Sequence, residues 1–456
     1  MNNLTSLQRK LLYLGGIVLL LIPITWLGLP AEPAHGAGNQ GSPGGYLAQK
    51  RAEYGLGESD LGNVDPASST MNLLLLGFRG IATNLLWMDA VEQQRNKDWA
   101  SLRATTESII LLQPHFLKVW QFQGWNLAYN VSAEWDGVAD RYYWVKEGIK
   151  FFKKGQGRNK MYGELLWYTG DTTGKKIGRS DEQKQFRRYF RSDPDVARFN
   201  GGPDPDVNPN SRDNYLEAGE WFQRANDTIE TYGIEQHIMA PYLFRAYPAR
   251  SQFDYAAALQ REGNFGEVTQ NAWSEGFQQW TTKYGKMPFE CELLGRRIHL
   301  EVSGDEMRDM VAREVAQNLP DGKRESFWVN RYQDTTNYRY WRTRSLVETE
   351  KLMAEAHREL YEGQQALFRA DDATARQRYT DGMLKFEKIL NEYPDLKVED
   401  EMIEEAILAQ IGWRQCLELV DEEVPEQYPL KEFWDAHPMR HGTVKQEFDR
   451  QRRGAR

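Results

Sequence analysis

The residues that could do chemistry are concentrated between positions 120 and 152, where aromatic and polar side chains are interleaved. Ten aromatic residues occur in these 33 positions, and the consecutive Tyr142, Tyr143 and Trp144 must point in different directions around a helix. A surface that mixes rings with amides and carboxylates can bind a peptide or a glycan. The alternative is that the rings fill the core between helices. The predicted groove consists of Trp120, Trp125, Tyr129, Trp135, Tyr142, Tyr143, Trp144, Asn126, Asn130, Glu134, Asp136 and Asp140.

Three carboxylates in this region could instead belong to an enzyme. Glu134, Asp136 and Asp140 are close in sequence, and two carboxylates about 5 to 9 Å apart can hydrolyse a glycosidic bond. An envelope enzyme acting on a glycan or peptide is therefore the alternative to a binding protein. The chain contains neither a Gly-x-Ser-x-Gly elbow nor a His-Glu-x-x-His motif. We predict no catalytic residue, and the sequence favours binding over catalysis.

Two segments approach ligand-binding motifs but lack essential residues. Residues 170–176 contain glycines and lysines, but no Ser or Thr follows the lysine, as a phosphate-binding loop requires. Residues 204–210 place an oxygen-bearing side chain at every second position, yet Pro209 replaces the turn glycine and Tyr215 stands where a calcium loop needs Glu. We predict a helix connection for the first segment and an acidic, solvated loop for the second, and we predict no metal or cofactor.

The cysteine content and the charge exclude further classes of protein. Cys291 and Cys416 are the only cysteines, so sites built on cysteine pairs are excluded, while one disulfide and two buried thiols both stay open. The net charge is -9, which argues against a nucleic-acid-binding protein.

An apolar segment lies near the N-terminus of the chain. Residues 11–29 form an uncharged run of 19 residues preceded by Arg9 and Lys10, which is long enough to cross the roughly 30 Å hydrocarbon core of a membrane. A cleaved signal peptide is the competing interpretation, but its apolar stretch is usually only about 7 to 15 residues. The basic residues favour a cytoplasmic N-terminus. The rest of the chain is then extracytoplasmic under either interpretation.

Beyond a Gly-, Pro- and Ser-rich linker, apolar residues recur at helical spacing, segment after segment. Gly382, Phe386, Ile389 and Pro394 have the spacing of the second helix of a tetratricopeptide-like repeat. A first helix over residues 345–369 is expected to pair with it. Residues 251–284 and 84–114 are predicted to form two further pairs.

Three stretches carry a family resemblance. Residues 84–90 (NLLWMDA), 119–132 (VWQFQGWNLAYNVS) and 212–216 (RDNYL) resemble a bacterial family of membrane-anchored, tetratricopeptide-like helical proteins. The likeness covers roughly residues 55–420. It implies an architecture, and it implies no catalytic residue because the family has no assigned activity.

The predicted fold is therefore all-α, a TPR-like α-solenoid of antiparallel helix pairs behind one transmembrane helix. The predicted divisions are an anchor (1–29), a linker (30–70), a helical-repeat domain (71–430) and a C-terminal tail (431–456). The predicted function is that of a scaffold in the cell membrane, whose extracytoplasmic body binds another envelope protein or peptide.

Overall fold

The structure of the protein is a computed structural model. It describes residues 79–454, residues 44–53 and scattered helical positions between 8 and 27. Most of the predicted anchor and most of the predicted linker lie outside the described residues. Within the described part of the chain, no helix has both the length and the apolar character needed to cross a membrane.

The all-α class is confirmed. The only described strands are β1 (Phe289–Cys291) and β2 (Arg296–Ile298), an antiparallel pair in which Phe289 lies opposite Ile298. In chain order the helices are α1 (Tyr46–Glu53), α2 (Arg79–Arg95), α3 (Trp99–Leu112), α4 (Leu117–Trp125), α5 (Val138–Arg158), α6 (Glu164–Asp171), α7 (Ile177–Arg179), α8 (Gln183–Arg191), α9 (Val196–Phe199), α10 (Asn214–Tyr232), α11 (Pro241–Phe244), α12 (Tyr247–Arg261), α13 (Glu267–Gln278), α14 (Gly304–Ala316), α15 (Glu325–Thr336), α16 (Tyr338–Val347), α17 (Lys351–Phe368), α18 (Asp372–Glu392), α19 (Asp400–Glu418), α20 (Lys431–Ala436) and α21 (His441–Gly454).

Three described segments are π-helical and continue a preceding α-helix. They are Asn126–Val131 after α4, Thr172–Lys176 after α6 and Gln279–Tyr284 after α13. In a π-helix the hydrogen bond runs from i to i+5, so each turn holds more residues than an α-turn, and such segments frequently lie at functional sites. The first of them lies within the predicted groove.

The chain divides into two compact units. The first unit comprises Met1–Thr169 and Asp227–Ile234, and the second comprises Gly170–Asn226 and Glu235–Arg456. The first has a core that includes Ala90, Ile109, Trp120, Phe152 and Leu165. The second has a larger core, whose fully buried rings include Phe253, Trp280 and Phe386.

The predicted helix pair at Gly382 is confirmed as α17 and α18. A Cβ atom at Gly382 would lie 2.7 Å from Leu360 Cδ2, so the absence of a side chain lets the two helices pack closely. Phe386 and Ile389 are fully buried, and Pro394 begins a 3₁₀ turn after the helix. Helix pairs also form at the other two predicted places, as α2 with α3 and as α12 with α13.

Two of the predicted boundaries are wrong. The first helix of the Gly382 pair does not run through residues 345–369, because the chain turns between Val347 at the end of α16 and Lys351 at the start of α17. The predicted C-terminal tail instead forms α20 and α21. Phe433 and Phe448 from these helices are buried in the second unit's core.

Candidate functional site

The predicted groove lies on one helical hairpin of the first unit. It is formed by α4, the π-helical segment Asn126–Val131 and α5, with a turn between them. The arms approach very closely, since a Cβ atom at Gly148 would lie 2.7 Å from the carbonyl oxygen of Gly124. Only small side chains fit in this contact. The large rings must therefore lie to either side of it.

Three predicted groove residues are buried inside the hairpin. Trp120, Tyr142 and Asn126 have no exposed surface. The indole N–H of Trp120 donates to the carbonyl oxygen of Pro114 at 2.8 Å, and the ring lies beside Gly155. These three side chains fill the core and present nothing to a partner. For them, the core alternative is the correct one.

The Trp125–Tyr129 stack lies on the outside of the hairpin. The two rings are nearly parallel, with centroids 5.3 Å apart, and Trp125 is 42% exposed. The neighbouring Asn130 is half-buried, and its amide donates to the side-chain oxygen of Asn126 at 2.6 Å. One face of the hairpin therefore presents an aromatic pair that is already ordered.

The Trp135 cluster, which consists of Trp135, Tyr143 and Trp144, lies at the turn and in the first turns of α5. Trp135 is 44% exposed and Tyr143 is 48% exposed, whereas Trp144 is half-buried between them. The Trp144 ring centroid is 6.2 Å from that of Trp135 and 5.4 Å from that of Tyr143. Arg141 Nε donates to the carbonyl oxygen of Trp135 at 2.5 Å, which fixes the turn.

The three carboxylates of the predicted site are all exposed to solvent. Glu134 forms an ion pair with Lys97 at 2.8 Å, and both side chains are largely exposed. Asp140 lies in the first turn of α5, where a negative charge stabilises the helix dipole. Asp136 lies in the turn. The three carboxylates, called the acidic rim below, flank the Trp135 cluster in sequence, and each is exposed.

The Trp125–Tyr129 stack and the Trp135 cluster together are called the aromatic surface below. Exposed indole and phenol rings bury large apolar areas when a partner covers them, and their polar tips then find hydrogen-bond partners. Glu134 of the acidic rim is paired with Lys97, whereas Asp136 and Asp140 add negative charge next to the Trp135 cluster in sequence. Ring faces also attract cations. The arrangement suits an apolar segment that carries a basic residue.

The chain matches no family model, no curated protein and no solved structure. The geometry of the hairpin is therefore the basis for the function proposed below.

The two motif-like segments have structural roles. Residues 170–176 do not connect two helices as a loop, because the π-helical segment Thr172–Lys176 continues α6 directly into α7. In residues 204–210, Asp204 and Asn208 are buried rather than solvated. The Asn208 amide donates to the carbonyl oxygens of Phe190 and Arg212, each at 3.0 Å. Among the described residues, no group of His, Cys, Asp and Glu is placed to hold a metal ion.

Sequence reasoning missed a buried ionic centre in the second unit. The centre comprises Arg344, Glu348, His357 and Glu405. His357 Nε2 lies 3.1 Å from Glu348 and Nδ1 lies 2.7 Å from Glu405, while Arg344 Nε lies 3.4 Å from Glu348. The amide of Gln260 also donates to Glu348 at 2.8 Å. These residues come from α12, α16, α17, α19 and the turn between α16 and α17. Only Arg344 and Glu348 are near neighbours in the chain, so local spacing could not have shown the centre.

The centre keeps its charges although it is buried. Burial alone would raise the pKa of Glu348, but His357 and Arg344 lower that pKa to about 2. Burial alone would lower the pKa of His357, but the carboxylates of Glu348 and Glu405 raise it to about 10. At neutral pH Glu348 and His357 are therefore both ionised. Arg344 also forms an ion pair with Glu401 on α19, so the network links α16, α17 and α19.

Proposed function

We propose that this protein is a membrane-tethered, extracytoplasmic helical-repeat scaffold that binds a segment of another envelope protein through its aromatic surface. The observation that carries the proposal is the exposure of Trp125, Trp135 and Tyr143, each more than two-fifths exposed. Exposed rings of this size mark binding surfaces, where Trp and Tyr dominate the energy of binding. The acidic rim favours a partner segment that carries apolar and basic residues.

The repeat architecture is supported by the three helix pairs. In two of them a glycine lets the helices pack closely: Gly382 contacts Leu360, and a Cβ atom at Gly276 would lie 2.7 Å from the ring of Phe253. Serial pairs of this kind, stacked on their neighbours, form a solenoid with an extended concave surface for binding. Such a surface needs no set of catalytic residues.

The alternative, a carboxylate-dependent envelope enzyme, has less support. A glycosidase holds its two carboxylates across a cleft that binds the substrate. Glu134 is paired with Lys97 on the surface, and Asp136 and Asp140 face solvent. Solvent-facing carboxylates of this kind support a binding surface.

The membrane tether and the topology follow from residues 11–29 and from Arg9 and Lys10. We expect protease added to intact spheroplasts to digest the body of the chain after residue 70. Disruption of the membrane should not be needed for that digestion. Full protection of the body in intact spheroplasts would contradict the topology.

Binding through the aromatic surface is tested with Tyr143→Ala and Trp125→Ala. A crosslinking pulldown from membranes, followed by mass spectrometry, identifies the partner, and a synthetic partner segment then gives the affinity. We expect each variant to weaken binding by about 2 kcal/mol, roughly thirtyfold. The melting temperature should move by only a few degrees, because the rings are half-exposed.

Tyr232→Ala is the matched control, since Tyr232 is 44% exposed in the same unit but lies outside the aromatic surface. It should leave affinity unchanged. A large loss of stability in Tyr143→Ala with normal partner recovery would show that the ring is core filler, and the proposal would then fail.

A further inference from the structure

The first unit leaves an apolar surface uncovered on α2. Ile81, Leu85 and Met88 recur at four- and three-residue spacing, so they lie along one side of the helix. Their exposed fractions are 60%, 60% and 69%. This row of three side chains is called the α2 face below.

The α2 face is not part of the core of the first unit. The other side of α2 is packed, since Ala90 is fully buried and Trp87 contacts two rings of the core. The Trp87 ring centroid lies 5.5 Å from that of Phe116 and 5.1 Å from that of Phe122. Three large apolar side chains exposed in one row are typical of a surface that binds a protein or a membrane.

The α2 face ends where charged residues begin. Glu92 and Arg95 come next along the same side of the helix, and they pair with each other at the surface. The apolar part of this side therefore belongs to the N-terminal half of α2. That half is the one joined, through the preceding chain, to the predicted anchor.

The sequence before α2 continues the apolar character towards the anchor. Leu73 to Leu76 and Phe78 precede the helix, and residues 30–78 separate it from the predicted anchor at residues 11–29. Even an unstructured chain of about 50 residues has an average end-to-end distance of only about 40 Å. The start of α2 is therefore held within reach of the bilayer surface.

The size of the α2 face favours a lipid surface over a protein. A stable protein interface uses about 20 to 30 residues from each partner, and the α2 face offers only three large side chains. A helix that lies in the membrane interface needs no matching shape, and its binding strength grows with the apolar area that it buries. The three side chains carry no charge, so apolar burial, rather than attraction to anionic lipid, drives the contact.

We propose that the α2 face rests on the bilayer that carries the anchor, with Ile81, Leu85 and Met88 inserted at the boundary between the headgroups and the acyl chains. This inference rests on the membrane tether of the proposed function. It adds an orientation, because a second contact at α2 holds the first unit against the membrane, whereas a tether alone would let the unit rotate.

The test places a fluorescent reporter on the α2 face of the full chain, reconstituted into phosphatidylcholine vesicles. Cys291 and Cys416 are free and buried, so a thiol dye labels an introduced Leu85→Cys in preference to them. Tyr232→Cys is the matched control, since Tyr232 is 44% exposed in the same unit. We expect nitroxide-labelled lipid to quench the Leu85→Cys reporter at least twofold more than the control, because an interfacial helix lies only about 5 to 10 Å into the headgroup region.

Charges on the α2 face should release it from the bilayer. Ile81→Asp and Met88→Asp, made together in the Leu85→Cys chain, should reduce the quenching to the level of the Tyr232→Cys control. Both positions are exposed, so the fold should be kept. Ser108→Asp and Tyr232→Asp, made together at exposed positions outside the α2 face, should leave the quenching of the Leu85→Cys reporter unchanged.

An alkaline carbonate wash of the vesicles separates this inference from the tether. A chain that is washed off would contradict the tether, and the contact at α2 would fail with it. A chain that stays in the membrane while both reporters are quenched equally would overturn the contact at α2 alone. A reporter at position 85 whose emission is shifted to the blue but is insensitive to nitroxide lipid would show that a second copy, or another part of this chain, covers the α2 face, and the proposal would again be wrong.

Discussion

Removing the charge of Glu348 should destabilise the second unit strongly. Glu348 has no exposed side-chain surface and contacts His357, Arg344 and Gln260. Glu348→Gln keeps the shape and removes the negative charge, so it leaves two buried cations with less compensation. Breaking a buried ion pair in this way usually costs about 3 to 5 kcal/mol.

The pKa values of the centre give a similar magnitude. A fall in the pKa of Glu348 from 4.5 to about 2 corresponds to about 3 kcal/mol. A rise in the pKa of His357 from 6.5 to about 10 corresponds to about 5 kcal/mol. Both values describe largely the same attraction, so they count once. We therefore expect Glu348→Gln to lower the free energy of unfolding by about 3 to 5 kcal/mol at pH 6.

The loss should depend on pH in a defined direction. Because the pKa of Glu348 is lowered in the folded state, its contribution is present above about pH 4.5 and is lost as the pH falls towards 2. Because the pKa of His357 is raised, its contribution is complete below about pH 6.5 and is lost as the pH rises through 10. The difference between the unmodified chain and Glu348→Gln should be largest from about pH 4.5 to 6.5.

Urea denaturation followed by circular dichroism between pH 4 and pH 10 measures this difference. Glu362→Gln is the control on α17, because Glu362 is 42% exposed and pairs with Arg378 only at the surface. It should change the free energy of unfolding by less than about 1 kcal/mol at every pH. A loss below 1 kcal/mol in Glu348→Gln, or a loss that is the same at pH 6 and pH 10, would refute the reasoning.

Three further predictions concern the second unit. Phe386→Ala should lower the free energy of unfolding by about 3 to 5 kcal/mol because it leaves a cavity, whereas Leu384→Ala at a half-exposed position should cost less than about 1 kcal/mol, both measured by urea denaturation. Cys291 and Cys416 are free and buried, and burial raises the pKa of Cys416 to about 11, so a thiol reagent at pH 8 should modify them only after unfolding. Asn208→Ala should lower the melting temperature because three hydrogen bonds are lost, and added Ca²⁺ should not change the melting temperature of the unmodified chain.

The sequence predicted those parts of the fold that depend on local spacing. The pattern of Gly382, Phe386 and Ile389 identified a helix that packs closely against the preceding helix. That contact requires one small residue and two large residues at helical spacing. The turn between α12 and α13 also depends on a local residue, since Gly263 has a φ of +85°, which favours glycine. In both cases the residues that carry the signal are neighbours in the chain.

The sequence contains no local signal for the break between α16 and α17. The intervening residues Glu348, Thr349 and Glu350 contain neither Gly nor Pro, and their spacing suits a continuous helix. The turn places Glu348 against His357 on α17, a contact that a local pattern does not encode. Contacts between distant residues can override local helix preference in this way.

The sequence also did not show which aromatic residues of the hairpin are buried and which are exposed. The π-helical segment Asn126–Val131 changes which residues face inward, so the amide Asn126 is fully buried while the next residue, Leu127, is only half-buried. A regular 3.6-residue period would have placed the apolar residue inside and the amide at its edge. The boundary between core and surface rings in this hairpin therefore depends on a feature that no residue pattern predicted.

The packing of the hairpin explains why its rings are exposed where they are. Gly124 and Gly148 bring the arms close together, and the rings of Phe152 and Trp120 fill the space on the side away from the turn. On the turn side, Tyr142 is buried, whereas Trp135 and Tyr143 lie outside. Neither Trp135 nor Tyr143 belongs to the buried core. Replacing either should therefore weaken binding and leave the stability of the fold nearly unchanged. Replacing Trp120 should affect both.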